Sequence, residues 1–179
     1  YYERNLPHWH PEGTVIFLTW RLHGSLPTAL VQQAQSHEHK SGQQFADFDR
    51  HLDRARFGPI WLKIPAIADS VVTTLRRGQD ELNQYILHAY VVMANHVHVL
   101  LAPRIELAHI TRGIKGVTAR NANRILGRTG EPFWQDESFD HWVRDSAEEE
   151  RIRIYVERNP VKAGLAIRPE DWPWSSAHR

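Results

Sequence analysis

Two apolar, β-type runs nearly meet in the middle of this chain, residues 84–93 and 95–102, and they constrain its fold more than any other feature. Only Ala94 separates them, so the chain must reverse there and the runs pair as an antiparallel hairpin. The second run reads Asn95-His96-Val97-His98-Val99-Leu100-Leu101. Side chains alternate between faces along a strand, which sets His96 and His98 on one face and Val97 and Val99 on the other. Two imidazoles one strand repeat apart can hold a divalent cation; they can also be two satisfied core histidines.

Chance must be weighed first, because 12 of the 179 residues are histidine and about one His-x-His triplet is expected from that frequency alone. The chain has three. His8-Trp9-His10 lies between Pro7 and Pro11, and His37-Glu38-His39 lies in a Gln-, Ser- and Lys-rich stretch, so neither has a strand beneath it. Only His96 and His98 have a scaffold.

The rest of the sequence predicts one α+β domain over residues 1–179. Residues 14–22 are rich in β-branched and aromatic side chains and read as a first strand. Residues 27–58 are polar and read as a surface insertion without assigned chemistry. A helix opens at Pro65, with Ile67, Val71 and Leu75 on one stripe and Gly78 placed to end it. After the hairpin, Ile110, Ile114, Val117 and Ile125 recur at helical spacing across residues 106–127. Residues 139–144 read as a fourth strand. Ser146 and Glu149 have capping-box spacing for a further helix, which Pro160 should halt near Asn159. Strand, helix, strand, strand, helix, strand is the split βαβ order of ferredoxin-like domains, here with a four-stranded antiparallel sheet and an appended helix, followed by a tail at 161–179.

Net charge is +1, so any polyanion site must be a local patch. The helix of residues 106–127 supplies one candidate: Arg112, Lys115, Arg120 and Arg124, with Arg128 just beyond, have no acid among them. They form a solvated basic face or a phosphate-binding one. The absence of cysteine excludes disulfides and thiolate chemistry and fits a cytoplasmic setting. No apolar run approaches the roughly 20 residues of a membrane helix, and no secretory signal is visible in the opening residues. The indoles of Trp172 and Trp174 read as packing anchors.

Tyr155 and Asn159 lie four residues apart on the appended helix, with Arg151 one turn earlier on the same side. They are a half-buried tyrosine and a helix-ending asparagine, or a phenol nucleophile and a third metal ligand. The second alternative, with the histidine pair and a nearby cation, supplies the parts of a metal-assisted transesterification at a phosphodiester.

Four ordered motifs carry a family resemblance: residues 95–101; Phe133-Trp134-Gln135 with Phe139 and His141; Tyr155 with residues 159–165; and residues 171–176. Together they resemble the REP-associated tyrosine transposases, of the single-tyrosine HUH family of single-strand DNA transposases. The resemblance implies His96 and His98 as metal ligands completed by Asn159, Tyr155 as nucleophile, and Mg²⁺ or Mn²⁺ as the ion, with no organic cofactor. It implies a single-stranded DNA partner with hairpin-forming palindromic repeats, a covalent 5′-phosphotyrosine, and strand rejoining without ATP. Arg112, Lys115, Arg120, Arg124 and Arg151 would contact DNA, and His141 would support the site. It further suggests a monomer with its tyrosine in cis, in a bacterial, nucleoid-associated cytoplasmic setting. Rival expectations are a domesticated hairpin-DNA-binding protein that no longer cuts and a phosphodiesterase that uses water. Ala94 stands where the family commonly has proline, and Glu157 where some members have a second tyrosine.

Overall fold

The structure is a computed structural model that describes residues 13–26, 52 and 58–178. The triplets at His8 and His37 and nearly all of the 27–58 insertion lie outside the described residues. Strand β1 (Ile16–Arg21) is followed by a 3-10 turn (Trp61–Lys63), helix α1 (Pro65–Asp80), strands β2 (Tyr85–Val92) and β3 (His96–Pro103), and helix α2 (Leu107–Leu126). Strand β4 (Phe139–Trp142), helix α3 (Ser146–Lys162) and a 3-10 turn (Pro169–Asp171) complete the order. The four strands form one antiparallel sheet in the order β2-β3-β1-β4. The α+β, split βαβ expectation holds.

Alternation along the two central strands divides the core between the faces of the sheet. Ile16, Leu18, Trp20, Val97, Val99 and Leu101 point to one side, where they pack with Ile67, Val71 and Leu75 of α1 and Ile110 and Ile114 of α2. Phe17, Leu100 and Ala102 point to the other, where Ile152, Tyr155 and Val156 of α3 cover them. Both central strands are buried almost throughout, so their near-continuous apolar runs reflect cover on both faces.

Four predicted boundaries move. Gly78 does not end α1, which continues to Asp80. It lies under Tyr85, where a Cβ would collide with the phenol ring and hydroxyl, and the space lets Tyr85 Oη donate to Leu75 O at 2.7 Å. Burial pushes this phenol up to about 12. The N-cap of α3 is Asp145, whose carboxylate accepts from Glu148 N–H at 2.7 Å, not Ser146 paired with Glu149. Asp145 has the extended backbone a cap requires, and Ser146 is already the first helical residue. Pro160 sits inside the last turn rather than halting the helix; it is buried there, and packing of that turn outweighs the backbone bond its missing N–H forgoes. Termination falls to Gly164, with φ of 72°. Strand β4 also stops at Trp142 rather than 144, since Arg144 N–H turns to Glu148 Oε2 at 2.7 Å.

Candidate active site

His96 and His98 leave β3 on the face that α3 covers, and both are fully buried. Their Nε2 atoms approach to 3.1 Å. Two ligands at right angles and about 2.0–2.2 Å from one ion are separated by about 3 Å, so the pair is spaced to grip one cation. Each outer nitrogen has its own partner. His96 Nδ1 lies 2.7 Å from Asn95 Oδ1, an oxygen that can only accept. With Asn95 Oδ1 as the acceptor, the proton of His96 sits on Nδ1 and Nε2 presents its lone pair. His98 Nδ1 lies 2.7 Å from Thr19 Oγ1, a hydroxyl able to donate or accept. Thr19 can thus serve His98 in either tautomer, accepting from Nδ1–H when Nε2 faces a cation. Such partners fix the ring orientation of metal-binding histidines.

Register explains why these residues meet. Strand β1 pairs with β3 so that Thr19 faces His98 and Arg21 faces His96. Phe17, two residues before Thr19, stacks on His98 with centroids 5.5 Å apart. Tyr155 comes from α3 and sets its ring edge-on to both Phe17, at 6.2 Å, and His98, at 5.8 Å. Lys162 Nζ lies over the Tyr155 ring, 5.3 Å from its centroid. Asn159, one turn beyond Tyr155, is fully buried in the same helix. Among the described residues no group of three or more His, Asp or Glu side chains could hold a metal ion. A third protein ligand would therefore be of another type, and the Asn159 amide oxygen is of a kind that hard divalent cations accept. Two imidazoles and an amide oxygen are a donor set that a divalent cation can accept.

Not every sequence-predicted residue joins this cluster. Arg112, Arg120 and Arg124 are exposed on α2, which packs on the opposite face of the sheet. Lys115 donates to Gln135 O at 2.7 Å and Asp136 O at 2.8 Å, which pins the loop before β4. A groove of about 1190 Å³ runs along this side between Arg104, Arg112, Lys115, Phe133 and Asp140, and neither histidine nor Tyr155 borders it. Arg151 is exposed on α3. His141 shares the sheet face of the site but lies 3.2 Å from Glu148 Oε1, at the start of α3. Trp172 Nε1 donates to Val92 O and Trp174 Nε1 to Asp69 Oδ1, both at 2.9 Å, so the two indoles are packing anchors. Thr19, Arg21 and Lys162 are the members that sequence reasoning missed. The only signal for the first two was their alternation with Phe17 on β1, and it means nothing without the register.

Comparison with known proteins bears on the family and the fold. A REP-associated tyrosine transposase of Haemophilus influenzae, so named provisionally, is 31% identical over 103 residues. The aligned segment is 51% of this chain and 58% of that relative, so the chain spans a little over half the length of the curated protein it matches. A solved REP-associated tyrosine transposase bound to a REP hairpin shares the fold, with a TM-score of 0.58 at 18% identity, covering 99% of this chain and 84% of that one. The family model for IS200-like transposases matches residues 65–159. Because that match runs over more than half of the chain, from the first turn of α1 to Asn159, the chain belongs to the IS200-like transposase family.

Proposed function

We infer that the protein is a metal-dependent single-stranded DNA endonuclease and strand transferase, acting at hairpin-forming palindromic repeats through a covalent 5′-phosphotyrosine. One observation carries this reading: in a chain of the IS200-like family, the phenol of Tyr155 packs against His98, whose Nε2 converges with that of His96. Tyr155 packs against His98 of its own chain, which supports a tyrosine acting in cis.

The Tyr155 phenol gives up its proton as Oη attacks the scissile phosphorus, the new tyrosyl O–P bond replaces the P–O3′ bond, and the freed 3′ oxygen takes up a proton in exchange. One phosphodiester is exchanged for another, so attack by a 3′-OH on the phosphotyrosine rejoins DNA without ATP. His96, His98 and Asn159 would hold Mg²⁺ or Mn²⁺, which would supply Lewis-acid polarisation of the phosphate. Lys162, over the ring, attracts the negative charge that develops on the phenol oxygen. Phe17 and His98 fix the ring between them and limit its rotation before attack. Arg112, Arg120, Arg124 and Arg151 contact the DNA backbone away from the reacting bond, and Lys115 acts through the loop it holds.

The test is incubation with a single-stranded hairpin oligonucleotide and Mn²⁺, followed by a denaturing gel. A protein band shifted by covalent DNA is expected, and it should vanish with EDTA, in Tyr155→Phe and in His96→Ala. Cleavage that survives in Tyr155→Phe sinks the tyrosine assignment and identifies a water-using phosphodiesterase. Binding without cleavage across varied hairpins identifies a domesticated DNA-binding protein.

A further inference from the structure

Arg21 ends β1 directly opposite His96. Phe17 packs on the α3 side and Thr19 faces His98 there, so alternation sends the Arg21 side chain to the face that carries both histidines. The residue is only 6% exposed. Its one side-chain hydrogen bond among the described residues is long, from Nη1 to Ser25 Oγ at 3.4 Å. Glu137 attracts it through space. Desolvation lowers its pKa, but from so high a value that the group stays charged at neutral pH.

A largely buried guanidinium whose one protein hydrogen bond among the described residues is long is costly to keep. Its backbone is nevertheless held firmly, since Gln135 N–H donates to Arg21 O at 2.9 Å and Lys115 pins the same loop. The residue is thus a fixed cation awaiting an anion, and its planar fork matches two oxygens of a phosphate. The order along the sheet face is informative. Tyr155 lies against Phe17 and His98, His96 follows, and Arg21 closes the row.

We propose that Arg21 binds the non-bridging oxygens of the scissile phosphate and holds it at the histidine pair, on the side away from Tyr155. This rests on the strand-transfer reading. Arg21 makes the phosphorus more electrophilic, keeps it in line with the phenol, and stabilises charge that grows on those oxygens during attack.

Inorganic phosphate titrated into the metal-free protein, followed through arginine Nε–H and histidine NMR signals, tests the site without DNA. Saturable binding is expected in wild type and Tyr155→Phe, weakened about tenfold or more in Arg21→Gln and less in Arg21→Lys. Arg21→Met should melt at or above the wild-type temperature, because a costly buried charge has gone. Three results would each overturn the proposal: no saturable binding by wild type, equal binding by Arg21→Gln, or an Arg21→Met variant that melts several degrees lower yet still binds phosphate. The hairpin-adduct assay separates the two ideas. Adduct formation at the wild-type rate in Arg21→Gln removes the role of Arg21 and leaves strand transfer standing. Arg21-dependent phosphate binding with no adduct in wild type keeps the phosphate site and removes strand transfer.

Discussion

At the residue scale, the histidine pair is tuned by two neighbours of different chemistry. Asn95 accepts from His96 and imposes one tautomer, whereas Thr19 can follow His98 through both. Asn95→Ala and Thr19→Val should therefore each weaken Mn²⁺ binding about 10- to 100-fold, as seen by calorimetric titration, with Thr19→Ser close to wild type. Unchanged affinity in both would mean that neither partner orients a ligand. Gly78 matters by what it leaves out. Gly78→Ala drives a methyl group into the buried Tyr85 ring, and urea unfolding should show a loss of about 1–3 kcal/mol; no loss would mean that Tyr85 moves aside freely.

At the element scale, the question is what holds α3 against the sheet, since it carries Tyr155 and Asn159. Its first turn is tied twice. Glu148 accepts from Arg144 N–H, from the Arg144 guanidinium and from the His141 side, and Glu149 pairs with His88 at 2.8 Å. His88 lies at the irregularity in the β2–β3 register, where the bulged backbone turns it toward α3. These bonds to Glu148, the Arg144 N–H first, hold its carboxyl down to about 2. A folded-state value below the unfolded one stabilises the fold where both states are ionised, above about pH 4.5. As pH falls from there toward 2 the unfolded chain takes up the proton first, and the contribution disappears. Glu148→Gln should cost about 1–3 kcal/mol at pH 7, with melting curves converging on wild type near pH 2; a constant gap across that window would refute the linkage. The basic face of α2 belongs to this scale too. Arg120→Ala should weaken DNA binding similarly for all sequences and flatten the salt dependence by about one unit in the log–log slope.

At the scale of the whole molecule, the sheet has one edge that the chain itself covers. Residues after α3 return along β2, where Val92 N–H donates to Trp174 O and Ser176 N–H to Tyr90 O, both at 2.9 Å. Ser175 bridges to Val91, and Ser176 Oγ reaches Glu157 of α3 at 3.2 Å. The strap thus closes an open strand edge and ties it to the helix that bears the nucleophile. Replacing Trp172 and Trp174 together by alanine should lower stability by about 2 kcal/mol or more and raise the aggregated fraction on gel filtration. A variant that stays monomeric and equally stable would deny the strap this role.

The sequence by itself determined the order of the elements, the hairpin, the shared face of His96 and His98, and the pairing of Tyr155 with Asn159 on one helix. All of these follow from local periodicity, which acts over a few residues. Only the tertiary structure decided that Thr19 and Arg21 stand opposite His98 and His96, because that register joins strands 79 residues apart. It also decided that the basic face of α2 lies on the far side of the sheet from the histidines, since which face a helix covers depends on the crossover and not on its own charges. The extension of α3 past Pro160 and the sinking of Gly78 beneath Tyr85 were likewise hidden. In both, packing against the sheet overrode a local signal that would have stopped an isolated helix.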